Sequence, residues 1–335
     1  MRKMAQRVFV SRNIPEKGLA QIRTRFSVEV WPGETPPGRE IFLEKAAVCD
    51  GFVVIPGDPV DRGVLEAGKS LKIVSCYAVG YDTIDVRAAT DLGIMVTNTP
   101  DVLTEATADL AFGLLIAAAR RIVEGDRFVR AGKWKTWGPR FMLGSEVSGA
   151  ILGVIGMGRI GKAVSKRAKA FGMDVRYFAR HRDQEMEKHL EVQYMEMEGL
   201  LAVSDYVSLH CPLNPSTEGL IGERQLRSMK NTAILVNTSR GRVVVEKDLV
   251  RALEEGWIAG AGLDVFEKEP ISDGHPFLGM ANVVLCPHLG SATTETRDRM
   301  AVIAAENLIA GLSGSTPRFL VNPAVLSREG SGSCA

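Results

Sequence analysis

The sequence predicts an α/β protein of two doubly wound parallel-sheet domains, and three features of the chain carry that expectation. Short apolar runs alternate with helical patterns from residue 8 to residue 285. A strand, a glycine-rich turn and a helix follow one another near the middle, and one long helical pattern, residues 292–312, comes after the last strand. Alternation of this kind means βαβ units, hence a mostly parallel sheet with helices on its faces.

In chain order the first unit has apolar strands at residues 8–10, 28–30, 51–55, 72–76 and 94–97, with a helical pattern at 15–25, and it ends near Asn98-Thr99-Pro100. Residues 105–121 (EATADLAFGLLIAAARR) form one long helical pattern with Ala106, Ala111, Gly113 and Ala117 among Leu and Ile. Small residues let another helix approach closely, so this helix suits either a contact between domains or subunits or core packing within one subunit. Residues 132–144 (GKWKTWGPRFMLG) lack periodicity and carry Trp134, Trp137 and Pro139, the pattern of an ordered, non-helical arm that needs a surface to cover.

Ile151–Ile155 is a buried-strand run followed at once by Gly156, Gly158 and Gly161, a helical pattern through Ala170, and a second strand at Asp174–Phe178. Three glycines alone say little, but in strand–turn–helix–strand context they form a dinucleotide fingerprint. Gly156 permits the sharp turn, Gly158 lets backbone approach a pyrophosphate, and Gly161 allows close helix-to-strand contact. The helix-start amides near Arg159 and Ile160 then face the phosphates. Where an NAD site places a carboxylate at the end of the second strand, this chain has Ala179, followed by Arg180, His181 and Arg182. Two guanidinium groups suit a ribose 2′-phosphate, so NADP(H) is expected in preference to NAD(H), which stands as the alternative.

Further strands are expected at 205–209, 233–236, Gly260–Leu263 and Val283–Leu285, with helices at 222–229 and Glu246–Glu254. Residues 100–287 would form the dinucleotide-binding, Rossmann-like domain, and 1–99 with 288–335 a flavodoxin-like substrate domain, the active-site cleft lying between them. Residues 327–335 (SREGSGSCA) read as a disordered tail.

Composition narrows the class. The chain has 335 residues, 45% hydrophobic and 24% charged, with a net charge of +1, which gives no field for nucleic acid or an anionic membrane. The start of the chain lacks a long apolar stretch, and residues 110–119 are too few to span a bilayer. Cys49, Cys76, Cys211, Cys286 and Cys334 are dispersed with no C-x-x-C pair, which argues for reduced thiols in the cytoplasm and against a metal site.

Three segments that follow strands each offer one ionisable residue: Arg240 in NTSRG, Glu269 in DVFEKEP and His288 in CPHLG. Reduction of a 2-oxo acid needs a cation to hold the carboxylate and polarise the carbonyl, which suits Arg240. It also needs a proton donor, which suits His288, and a carboxylate on the far imidazole nitrogen, for which Glu269 is the candidate.

The series AVGYDTIDV, NTPDVLTEATADLA, GVIGMGRIG, LHCPLNPSTEGLI, NTSRGRVVVE, GLDVFEKEP and CPHLGSAT resembles the D-isomer-specific 2-hydroxyacid dehydrogenase family, most closely its glyoxylate/hydroxypyruvate reductase branch, over nearly the whole chain. The resemblance implies Arg240, Glu269 and His288 as the catalytic set and the backbone amides of Val79 and Gly80 as carboxylate ligands. It puts Thr104, Arg159, Ile160, Cys211, Pro212, Thr217, Thr238, Asp264 and Gly290 around the cofactor, with Asp264 on the nicotinamide carboxamide. It further implies a homodimer in which Trp137 reaches the neighbouring subunit's site, the alternative being that both tryptophans pack on their own chain. Val79 stands where the phosphite-oxidising branch would want lysine, and too little chain follows Leu312 for a regulatory domain. Larger substrates such as 2-ketogluconate, and a dinucleotide-sensing corepressor without turnover, remain as alternative readings.

Overall fold

A computed structural model describes residues 5–327, so the 328–335 part of the expected tail, with Cys334, lies outside the described residues. The chain divides into two compact units, residues 1–103 with 292–335, and residues 104–291. Both joins lie a few residues beyond the expected 99/100 and 287/288, and the shift moves His288 into the dinucleotide unit. The cause is local: the His288 amide donates to the Asp264 carbonyl at 2.9 Å, and the Asp264 carboxylate takes the amides of Leu289 and Gly290.

The first unit contains β1 (Arg7–Val10), α1 (Glu16–Arg23), β2 (Ser27–Val30), α2 (Arg39–Ala46), β3 (Gly51–Val54), α3 (Arg62–Ala67), β4 (Ile73–Cys76), α4 (Val86–Asp91) and β5 (Met95–Thr97). Its five parallel strands run in the order β2-β1-β3-β4-β5, the flavodoxin-like arrangement expected for it. Phe9, Phe42 and Phe52 meet edge to face in its core. The helices α2, α3 and α4 are short, and their apolar residues are too few for a periodic signal.

The second unit begins with α5 (Thr104–Ala119), α6 (Ile122–Arg130), β6 (Ile151–Ile155), α7 (Arg159–Ala170), β7 (Asp174–Phe178), α8 (Gln184–Leu190), β8 (Gln193–Tyr194), α9 (Met197–Val203) and β9 (Tyr206–Leu209). It continues through α10 (Glu223–Ser228), β10 (Ile234–Asn237), α11 (Glu246–Glu254), β11 (Gly260–Leu263) and β12 (Val283–Leu285). The seven strands are parallel in the order β12-β11-β10-β9-β6-β7-β8. With β6 central and successive strands added outward on both sides, this is the Rossmann order extended by one edge strand. Alternate residues feed two cores: Ile234 and Val236 of β10 join Ala108, Leu114 and Leu115 of α5 on one face, and Leu235 joins Leu249 and Leu253 of α11 on the other.

The small-residue helix therefore serves core packing within its own unit. It also stops earlier than expected. Arg121 adopts a left-handed φ of 53° and clasps Glu124 through both oxygens at 2.8 Å, while the Ser145 amide donates to the Ala119 carbonyl at 2.8 Å and so satisfies the helix end. The α6 helix that follows buries none of its residues. The last helix, α12 (Thr294–Leu312), belongs to the first unit, where the Ala304 carbonyl accepts the Ser75 hydroxyl at 2.9 Å. Among the described residues no helix is long and apolar enough to cross a membrane.

Candidate active site

The glycine turn is built on what is missing from it. Gly156 has a left-handed φ of 96°, and a Cβ there would lie 2.5 Å from the Cys211 amide nitrogen; a Cβ on Gly161 would lie 2.2 Å from the Gly156 carbonyl oxygen. Gly158 differs, because its Cβ would meet nothing within 4 Å. The α7 helix starts just beyond with no side-chain cap and no acid in its first turn, so the partial positive charge of its amides points outward at Arg159 and Ile160. At the end of β10 the Thr238 hydroxyl is buried without a hydrogen-bond partner among the described residues. Open space at Gly158, an uncapped helix start and an orphaned hydroxyl fit a dinucleotide, whose pyrophosphate would lie on the turn.

The neighbouring candidates fall into two groups. Cys211 is buried against the turn, and burial pushes its thiol up to about 11, so it packs as a small apolar group. Thr217 donates to the Pro212 carbonyl at 2.6 Å and accepts from the Asn214 amide at 2.9 Å, which spends its hydroxyl on closing the Pro212–Thr217 turn. Thr104 opens α5, and Gly290 accepts the Thr107 hydroxyl at 2.9 Å.

Beyond β7 the two arginines separate. Arg182 is held by Glu187 in a two-pronged contact at 2.8 and 2.9 Å and lies 5.6 Å from the centre of the Tyr194 ring. The Arg182 hydrogen bond in turn lowers the Glu187 carboxyl below its ordinary value. Arg180 is exposed, with no ion pair among the described residues.

The ionisable residues come together in the same unit. Glu269 Oε2 and His288 Nδ1 are 2.6 Å apart, and Glu269 Oε1 accepts the Phe266 amide at 3.1 Å. Burial opposes ionisation of Glu269, but the His288 bond and charge, the Phe266 amide and the charge of Arg240 outweigh it and hold the carboxyl below its usual range. Arg240 donates to the Ser239 carbonyl at 2.8 Å, and Asn237 shapes its turn by accepting the Ser239 amide at 3.0 Å and donating to the Arg240 carbonyl at 2.9 Å. His288 itself has a left-handed φ of 55°. Asp264 makes that turn possible: it is 1% exposed, its two oxygens take the Leu289 and Gly290 amides at 2.6 and 2.8 Å, and burial pushes its carboxyl up against their pull.

Asn237 could have been found in the sequence as an Asx-turn residue before T-S-R-G. In the first unit, the carbonyls of Val79 and Gly80 accept from Asn98 at 2.8 Å and from the Cys76 thiol at 3.4 Å, and among the described residues neither amide has an acceptor. Trp137 is 76% exposed, so its own chain does not cover it. Among the described residues no group of three or more His, Cys, Asp or Glu side chains could hold a metal ion.

A Rossmann unit with an open glycine turn and a His–carboxylate pair in the same unit defines an oxidoreductase of the nicotinamide-dependent dehydrogenase class. The family model for the D-isomer specific 2-hydroxyacid dehydrogenase, NAD binding domain, matches residues 112–290. The chain is 57% identical over 324 residues to a glyoxylate reductase of Korarchaeum cryptofilum, covering 96% of this chain and 98% of that one. Among solved structures it is similar to the TT0316 protein of Thermus thermophilus, with 46% identity, a TM-score of 0.89, and 94% and 100% of the two chains covered. It is also similar to an NADPH-dependent glyoxylate/hydroxypyruvate reductase of Sinorhizobium meliloti in complex with NADP and malonate, with 32% identity, a TM-score of 0.83, and 96% and 98% of the two chains covered. The chain belongs to the D-isomer-specific 2-hydroxyacid dehydrogenase family.

Proposed function

We propose that this dehydrogenase reduces small 2-oxo acids, glyoxylate and hydroxypyruvate first among them, to D-2-hydroxy acids, with NADPH preferred to NADH. The observation that carries the reading is the 2.6 Å bond between Glu269 and His288 Nδ1, in the same unit as the glycine turn. With Nδ1 held by Glu269, Nε2 is the ring nitrogen left to exchange a proton with substrate. A dinucleotide with its pyrophosphate on the turn would supply the hydride from its nicotinamide. As the carbonyl oxygen gains charge, Nε2 of His288 gives it the proton, and the Arg240 guanidinium steadies the developing charge and the carboxylate.

Support for NADPH comes from Ala179, which stands past the end of β7 where an NAD site would place an acid, from Arg180 beside it, and from the NADP bound in the Sinorhizobium relative. Assignment of the Val79 and Gly80 amides to the substrate carboxylate rests on family resemblance. A homodimer is part of the proposal: α6 and the arm expose Ile122, Val129, Trp134, Trp137 and Leu143, an apolar surface that a second copy would cover.

The test is a panel of glyoxylate, hydroxypyruvate and 2-ketogluconate with each cofactor, followed by cofactor absorbance, alongside sedimentation of the protein. Turnover of glyoxylate with a higher kcat/KM for NADPH is expected, from a dimer. Cofactor binding without turnover of any acid would favour a sensing role instead.

A further inference from the structure

A second His–carboxylate pair lies in the same unit, and the mechanism above does not use it. Glu246, the first residue of α11, and His275, just before the Pro276–Gly279 turn, have side-chain exposures of 17% and 16%. The Phe277 amide donates to His275 Nδ1 at 3.3 Å, which puts the ring proton on Nε2, and Nε2 donates to Glu246 Oε1 at 3.0 Å. The other carboxylate oxygen of Glu246 accepts the backbone amide of Glu267 at 3.0 Å. Phe277, 1% exposed, anchors this arrangement in the core, with its ring centre 4.7 Å from that of His275.

Glu267 lies inside the segment that carries the proton-transfer pair. The Phe266 amide holds Glu269 Oε1 at 3.1 Å, and Glu269 Oε2 holds His288 at 2.6 Å. The same segment presses on the Arg240 turn, since a Cβ on Gly241 would lie 1.8 Å from the Phe266 carbonyl carbon. One carboxylate thus joins a core-anchored imidazole to the backbone two residues before Glu269.

We propose that Glu246 and His275 form a clamp that positions Glu269, and through it the His288 ring, for proton transfer. They are positioning residues, and the inference rests on the reading of the reaction given above. Glu269 sits on a loop, and a loop needs outside support to hold a donor within the roughly 0.5 Å that productive geometry demands. The bond from Glu246 to the Glu267 amide supplies that support, and His275 fixes the carboxylate's orientation.

The experiment is a double-mutant cycle on glyoxylate reduction, with full pH profiles and thermal midpoints, in the full-length protein. It compares the parent, Glu246→Ala, Glu246→Gln, His275→Gln, Glu269→Gln and the Glu246→Ala/Glu269→Gln double variant. Glu246→Ala is expected to lower kcat on the order of 10- to 100-fold, the scale of a misplaced catalytic group, with KM for the cofactor unchanged. The loss should fall on kcat and leave KM for glyoxylate near the parent's, as in Glu269→Gln.

Glu246→Gln keeps an acceptor for the Glu267 amide and should recover much of kcat. In the double variant the further loss should vanish, since both changes break one chain of contacts. Should Glu246→Ala fail to fold, His275→Gln carries the same comparison. Additive losses, or unchanged profiles in both Glu246→Ala and His275→Gln, overturn the clamp. A parent that does not reduce glyoxylate, or a Glu269→Gln profile that overlays the parent's, sinks the underlying reading and is thereby told apart from failure of the clamp.

Discussion

The glycine turn and the His288 turn occupy one unit, yet they are built by opposite means. At the first, function depends on atoms that are absent: Gly156 and Gly161 leave room for backbone that a Cβ would strike, and Gly158 leaves room for a ligand. At the second, function depends on bonds made by side chains from elsewhere in the chain. Glu269 holds the His288 ring, while Asp264 holds the amides of the two residues that follow it and lets His288 keep a left-handed φ. A turn made by omission tolerates nothing added, and a turn made by bonds tolerates nothing removed.

The largest expected effect comes from removing the group that the bonded turn exists to hold. His288→Ala should lower kcat for reduction about 10²- to 10⁴-fold, the usual share of general acid catalysis, while cofactor affinity measured by fluorescence titration stays near that of the parent. A parallel loss of cofactor affinity would mean that the two turns are one cooperative structure and that the contrast between them is false.

The next test adds a methyl group on the other side of the comparison. Gly161→Ala puts a Cβ 2.2 Å from the Gly156 carbonyl, a clash with backbone that cannot rotate away, and should cost about 3 kcal/mol of stability in a denaturant titration. Gly158→Ala meets no protein atom within 4 Å, and its φ of −76° suits alanine, so stability should hold while cofactor binding weakens by about 10-fold or more. If Gly158→Ala instead unfolds the protein and leaves cofactor binding intact, the open space there is not the phosphate site.

Legibility followed the same division. The glycine turn could be read because all its information lies within Ile151–Ile155 and the residues just after, and both flanking strands fall where the apolar runs placed them. Glu269 and His288 could be picked out as residues that follow strands, as could Arg240, and the structure brings the first two together. Their support was not legible: Glu246 and His275 are 29 positions apart, and nothing local marks them as partners. The domain join was misplaced for the same reason, because Asp264 reaches forward to claim Leu289 and Gly290. Short elements such as α9 and β8 escaped because neither is long enough to show a period.

The smallest expected effect concerns a place where an omission and a bond stand two residues apart. The sequence offers Arg180 and Arg182 alike to a 2′-phosphate, but Glu187, from a helix too short to be read, has taken Arg182 in a two-pronged contact. An arginine already paired brings little net charge to a new anion, whereas Arg180, exposed at the end of β7 and without an ion pair among the described residues, brings its full charge. Arg180→Ser should therefore cost NADPH about 1.5 to 3 kcal/mol in kcat/KM, the scale of a hydrogen bond to a charged group, and NADH little. Arg182→Ser should change the ratio of the two cofactors by less than about 1 kcal/mol, as for loss of a surface ion pair. Equal losses from both substitutions with NADPH alone would show that Arg182 leaves Glu187 for the phosphate, and equal losses with both cofactors would show that the arginines serve the loop and not its ligand.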